Sequence, residues 1–293
     1  MTNINLNKKI ILFGFIFTFF SSFGQSFFLG LFNPSIRNEL NITHGQFGTI
    51  YASATICSSL LLVWFGKKID NYKLSNYSYL VVTFLFLSTL FFSFIESVQL
   101  LAIGIFLIRF SGQGLMSHTS STAISRYFEK TRGKALGVTL LGLSTAEFIL
   151  PLLVIYSLTL FSWRFVWQSM SIITIIFLPL LIFYTVKNIN LNSREETLII
   201  KSKKKIKSWT RREVLRDYRF YIVSINMLAM PWIFTGIAVY QSYIADSKFW
   251  DLYTIPKAFM VYSILSILTL FLSGFLVDKF SSRKLLPLVN LPL

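Results

Sequence analysis

The stretch Gly66-Lys67-Lys68-Ile69-Asp70-Asn71-Tyr72-Lys73 decides how this chain is read. It is a short basic turn between two long apolar runs. A second copy stands near the C-terminus, Gly274-Phe275-Leu276-Val277-Asp278-Lys279-Phe280-Ser281-Ser282-Arg283-Lys284. In each copy an apolar run ends, a Gly is followed four residues later by Asp, and cations close the turn. The two glycines are 208 residues apart, and self-similarity at that separation predicts an internal repeat.

Working outward from the first turn, the flanking runs set the class. Of 293 residues 54% are apolar, 14% are charged and 31 are Phe; a soluble domain carries roughly 25% charged residues. About 20 apolar residues cross a ~30 Å hydrocarbon core. Eight runs reach that length, near Ile10–Phe32, Gln46–Phe65, Tyr77–Ile95, Leu100–Ser121, Ala135–Leu160, Phe165–Val186, Phe220–Ala245 and Tyr253–Val277. Lipid offers no partner to a backbone amide, so each run is expected to be a helix that bonds within itself. The expected fold is an all-α membrane protein, a polytopic bundle of eight complete transmembrane helices and a partial ninth. Asn33-Pro34 is expected to end the first helix.

The net charge of +16 would suit a nucleic-acid binder if it were concentrated. It is spread over five segments instead, which argues against nucleic acid. When ends and loops are assigned alternately to two sides, 23 of the 28 Lys and Arg fall on one side. That bias is the positive-inside pattern and predicts a cytoplasmic N-terminus in a multi-pass plasma (inner) membrane protein. The basic segment 187–217 includes Lys201-Ser202-Lys203-Lys204-Lys205. It reads as a linker lying against anionic lipid. It divides a six-helix bundle, 1–186, from an incomplete C-terminal bundle, 218–293. Thr210-Arg211-Arg212-Glu213 near its end, and Thr43-His44-Gly45-Gln46 before the second helix, both read as capping boxes.

Polar residues inside the runs are the candidates for chemistry, because they are costly in lipid and face a bundle interior or a wet cavity. Arg109 lies about ten residues, ~15 Å, from one end of the fourth helix. Glu147 lies ~18 Å from the end of the fifth. The two helices are antiparallel neighbours, so an ion pair between these residues is expected, either stiffening the bundle or coupling to transport; the alternative is that they make no contact. Gln25-Ser26 in the first helix is echoed by Gln241-Ser242 in the seventh. Polar groups at matching places in two repeats point to a central site between halves; the alternative is that each Gln bonds within its own half. His118 is placed on the face opposite Arg109. Gly142 and Ala146 are spaced for close helix packing. Trp163 and Trp167 read as interfacial anchors, and the single Cys57 as a packing residue. His44 and His118 are the only histidines, and no metal-spaced cluster or nucleophile motif accompanies them. No enzyme activity, metal or cofactor is expected.

With the two turns, the Arg109 helix and the linker in hand, the chain resembles the major facilitator superfamily of secondary transporters. The family's loop pattern is Gly-x-Leu-Ala-Asp-Arg-x-Gly-Arg-Arg. Gly66 and Asp70 match it in the first copy; Gly274, Leu276, Asp278 and Lys279 match it in the second. Lys68, Asn71 and Lys73 depart from the pattern, as does Ser281. The resemblance implies alternating-access transport of a small solute, an organic anion being the candidate class. Gln25, Arg109, Glu147 and Gln241 are then the substrate or coupling residues. Gly66, Asp70, Lys73, Gly274, Asp278, Lys279 and Arg283 are then gate-loop residues, with Asp70 latching onto a helix N-terminus of the opposite half. The family has twelve helices, so a missing C-terminal half or a partner chain is a further expectation. A non-transporting sensor or partner subunit, or a non-functional fragment, is the alternative.

Overall fold

The computed structural model describes residues 2–128, 131–187, 189 and 210–280. Every regular element among them is a helix. The first apolar run forms two. Helix α1, Thr2–Ser21, runs into a single 3-10 turn, Ser22–Gly24, and Gln25 is extended before α2, Ser26–Leu40, begins. Pro34 does not end this run. It sits inside α2, and the helix stops six residues later at Leu40, capped by Asn41, a left-handed residue (φ 52°, ψ 44°). Asn tolerates that conformation because its short amide side chain bonds locally, so it closes helices much as Gly does.

The other elements follow in hairpins. Helix α3, His44–Phe65, opens on the expected capping box: the Thr43 hydroxyl accepts from the Gln46 amide and the Gln46 side chain accepts from the Thr43 amide. The basic turn Gly66–Asp70 is 3-10. Helix α4 spans Leu74–Phe92. Helix α5, Val98–Ile108, continues through a π-helical segment, Arg109–Met116, into α6, Ser117–Tyr127. Helices α7, Arg132–Leu160, and α8, Trp163–Thr185, form the next pair. A short helix α9, Arg211–Arg216, carries the second capping box. Its bonds to Thr210 hold the Glu213 carboxyl below the usual carboxylate range. Helix α10, Tyr218–Val239, is followed without a loop by α11, Gln241–Ser247, and then by α12, Thr254–Phe280.

Seven of these stretches are long and apolar enough to span a membrane: 7–40, 44–70, 74–92, 98–127, 132–160, 163–185 and 218–239. The apolar part described in α12, Thr254–Leu270, is shorter than a span. The expected ninth helix lies outside the described residues. So does most of the linker.

Helix α1 is the hub. It packs on α6, α7, α8 and the π-helical segment, while α4 packs on α8 and α3 on α5. Phe13, Phe17, Phe27, Phe28 and Phe32 are fully buried along the α1–α2 line. Trp163 and Trp167 are not interfacial anchors. Trp167 is completely buried, with its ring 4.5 Å from Phe92 and 5.1 Å from Phe32. Trp163 donates its indole N–H to Glu39 at 2.7 Å. An indole can enter a core when its one donor finds an acceptor, and Glu39, which also pairs with Arg164, supplies it for Trp163. Cys57 is exposed on α3 rather than packed. Gly142 does pack closely, beneath the Phe15 carbonyl and Thr18.

Candidate functional site

The break between α1 and α2 is the centre of the arrangement. At a helix interruption the backbone loses its i to i−4 partners, and the freed groups need others. The Gln25 amide donates to the Ser22 carbonyl (2.9 Å), and the Gln25 carbonyl accepts from Leu29 (3.1 Å). The Gly24 carbonyl is taken by Arg109, whose Nη1 donates to it at 2.9 Å. Arg109 is the first residue of the π-helical segment and is 95% buried. Its Nε donates to the Thr55 hydroxyl at 3.1 Å, and its guanidinium lies 5.0 Å from the centre of the Tyr51 ring. Tyr51 and Thr55 are one helical turn apart on α3, so both present to the same point. Two glycines make the approach possible: a Cβ on Gly112 would sit 2.7 Å from the Gly24 nitrogen, and one on Gly24 would strike backbone of Ile108 and Gln113.

This changes the expected pairing of Arg109. Among the described residues the ion pairs are Asp70 with Arg126 and Glu39 with Arg164. Arg109 and Glu147 do not pair. The π-helical register turns Arg109 toward the α1–α2 break and α3, while Glu147 is buried on α7. Helix α7 packs on α12.

The second break lies between α10 and α11, at Tyr240 (φ −97°, ψ 14°). Gln241 follows it directly, and its Nε2 donates to the Phe27 carbonyl at 2.9 Å. Asn33 of α2 reciprocates, donating to the Val239 carbonyl at 2.8 Å. Gly30 lets the elements meet, since a Cβ there would strike the Ala238 carbonyl and the Gln241 side chain. Of the two readings of the Gln pair, Gln241 bonds across to α2 rather than within its own helices. Gln25 makes no capping bond with its side chain. Farther along the same seam the His44 ring lies 4.8 Å from Tyr243.

At the other end of the bundle the first basic turn is held by α6. Asp70 pairs with Arg126, and His118 shares a hydrogen with the Gly66 carbonyl at 3.0 Å. His118 and Arg109 both meet the α3 line, His118 at Gly66 just past its end and Arg109 at Thr55, so they do not lie on opposite faces; the wider turn of the π-helical segment changes the register between them. Among the described residues Asp70 pairs with Arg126, a cation on the neighbouring helix α6. In the second turn Gly274, Asp278 and Lys279 lie on α12, and their side chains are not among those described; Arg283 lies outside the described residues. Among the described residues no group of three His, Cys, Asp or Glu converges to hold a metal.

Sequence reasoning missed Gly24, Tyr51, Thr55, Asn33 and Arg126. A signal existed for two of them: Tyr51 and Thr55 are an i, i+4 pair on one face of α3. Gly24 sits beside Gln25 in a run that still reads as continuous helix.

The sequence profile of the Major Facilitator Superfamily matches residues 14–291. The chain belongs to that superfamily. No curated protein sequence matches it. Among solved structures it resembles a bacterial homologue of the human lysosomal transporter Spinster, crystallised in an inward-facing, unoccupied conformation. The TM-score is 0.66 at 15% identity, over 95% of this chain and 64% of that one. The likeness is one of fold, and this chain spans under two thirds of the length of the structure it matches.

Proposed function

We propose that the protein is a secondary transporter that moves a small solute across the plasma membrane by alternating access, with its N-terminus in the cytoplasm. The observation that carries this is the pair of helix breaks, at Gln25 and Tyr240, joined by the Gln241–Phe27 hydrogen bond. Discontinuous membrane helices at matching positions of two repeats characterise a solute site between halves, because irregular backbone at membrane depth persists only in protein or beside a cavity. In this reading residues 1–186 and 218–293 are two bundles joined by the linker, and α12 precedes a ninth helix. Arg109 attracts an organic anion, Gln25 and Gln241 orient it by hydrogen bonds, and Glu147 carries a coupling proton. The turns around Asp70 and Asp278 act as gates that open and close the cytoplasmic side. Uptake by proteoliposomes containing the full chain, over a panel of organic anions and neutral solutes, tests the reading. Solute accumulation driven by an imposed proton gradient, and lost in Glu147→Gln, is expected. No flux of any solute would overturn it.

A second reading has its own observation. Helix α10 is mostly uncovered, 11% buried over its apolar stretch against 67% for the first span, and Trp232 on it is 78% exposed. A partner subunit covering α10 would explain that surface and would make this chain one component of a larger carrier. Stable co-purification with a second membrane protein, together with no flux from this chain alone, is the outcome that favours it.

A further inference from the structure

The guanidinium of Arg109 is buried and meets no carboxylate. Its bonds go to a carbonyl and a hydroxyl, Gly24 and Thr55, so its full positive charge has no counter-ion among the described residues. A buried charge without a partner is expensive, and an arginine has five donors, of which these bonds occupy two. Beside it stands the N-terminus of α2, a helix of 15 residues. The first bond accepted at that end is the one from Leu29 to Gln25. The amides of Ser26, Phe27 and Phe28 therefore open the helix with no side-chain cap over them, and a helix N-terminus of this kind favours an anion. The third group is the Tyr51 hydroxyl. It lies within reach of the Ser26 and Thr55 side chains, is 96% buried, and makes no hydrogen bond of good geometry. Donors from α2, α3 and the π-helical segment are thus brought to the α1–α2 break, and none of them brings a negative charge.

Resting on the transport reading, we infer that the opening turn of α2, with Arg109 and Tyr51, is the subsite that takes the carboxylate of a small anionic solute. The two carboxylate oxygens accept from the α2 amides, the Tyr51 hydroxyl and the free edge of Arg109. The break in the first helix creates this subsite: an unbroken helix would consume the same amides internally. The corresponding opening of α11 has no such cation. Gln241 is there instead, already donating to the Phe27 carbonyl and keeping a buried Oε1 without a donor. That oxygen suits a hydroxyl or amide on the uncharged part of the solute. The two breaks therefore recognise different ends of one molecule.

One substitution isolates the helix amides. Ser26 is the first residue of α2, where proline is tolerated because its missing N–H has no helical partner to lose. Gln25 before it has φ −81° and ψ 154°, the conformation that a residue preceding proline favours. Ser26→Pro therefore removes an amide donor from the subsite with the helix intact, and Ser26→Ala removes the hydroxyl alone. The measurement is the melting temperature of the purified full chain in detergent, titrated with acetate, lactate, succinate and citrate, with their amides, and with phosphatidylglycerol doped into the micelles. At least one carboxylate should raise the melting temperature while its amide does not. The midpoint should be about tenfold weaker in Ser26→Pro than in Ser26→Ala, and about tenfold weaker in Tyr51→Phe than in wild type, each a loss of about one charge-assisted hydrogen bond. A shift with phosphatidylglycerol alone, no shift with any carboxylate, or equal midpoints in Tyr51→Phe and wild type would overturn the subsite. Carboxylate binding without flux in proteoliposomes would leave the subsite standing and sink the transport reading. Flux confined to neutral solutes would do the reverse.

Discussion

The first membrane helix and the seventh break in corresponding places, each beside a Gln-Ser pair, yet the two breaks are held differently. The break at Gln25 is buried in a complete set of neighbours and clamped by an arginine and two facing glycines. The break at Tyr240 lies on a helix that is mostly uncovered, and it is held mainly by contacts to α2. The backbone is interrupted at both places. The charge that gives an interruption chemical meaning is supplied once, from the π-helical segment. In the proposed reading, likeness of backbone with asymmetry of charge would let a site between the two breaks bind a molecule whose two ends differ.

Substitutions can break or sharpen that comparison. The largest effect on stability is expected at Arg109. Arg109→Leu leaves the Gly24 carbonyl and the Thr55 hydroxyl without their donor and should cost about 3 kcal/mol, read as a lowered melting temperature in detergent; a fall under about 1 kcal/mol would mean that the clamp does not hold the break. Next comes Gly24→Ala, whose new methyl meets backbone of Ile108 and Gln113. It should cost about 1–3 kcal/mol. Its counterpart near the second break, Gly236→Ala, meets nothing within 4 Å and should stabilise α10 by about 0.5–1 kcal/mol, since Gly is the poorer helix former. Equal effects at the two glycines would erase the distinction between the breaks. Gln241→Leu should cost about 1 kcal/mol through the lost bond to Phe27, whereas Gln25→Leu, which loses no capping bond, should change stability by less than about 0.5 kcal/mol.

The smallest effect lies outside the bundle. The bonds from Thr210 lower the Glu213 pKa in the folded state. A lowered folded value means that the cap is fully present above the unfolded pKa, ~4.3, and is lost as the pH falls through the lowered value. Amide exchange in Arg211–Arg216 should accelerate only in that acid range. Acceleration already near pH 6 would contradict the cap.

Much of the architecture was legible because a bilayer reduces folding to a length rule: an apolar run of about 20 residues has one stable backbone. The capping boxes at Thr43 and Thr210 were legible for a similar reason, being local chemistry between residues three apart. The breaks were not. Gln25 and Gly24 are ordinary residues within a long apolar run, and only the approach of Gly112 and Arg109 from another helix opens the backbone there. Pro34 illustrates the converse: a proline that reads as a stop is carried within α2. The partners of the ionised groups were the least legible. Depth along antiparallel helices placed Arg109 and Glu147 together, but depth does not fix the direction a side chain points, and the π-helical register turned Arg109 to Gly24. The same holds for Asp70, whose partner Arg126 comes from the adjacent helix, and for Trp163, where an acceptor in the core outweighed the usual preference for an interface.

The central claim is that Arg109 and the broken first helix form the anion end of a transport site. Counterflow in proteoliposomes tests it most directly: vesicles containing the full chain are loaded with an unlabelled carboxylate that raises the melting temperature, and entry of the labelled compound is followed for wild type and for Arg109→Lys. The account predicts rapid exchange by wild type and at least about a tenfold loss in the lysine variant, which keeps the charge but not the fork that reaches both Gly24 and Thr55. Exchange at wild-type rates in Arg109→Lys and in Tyr51→Phe would contradict it.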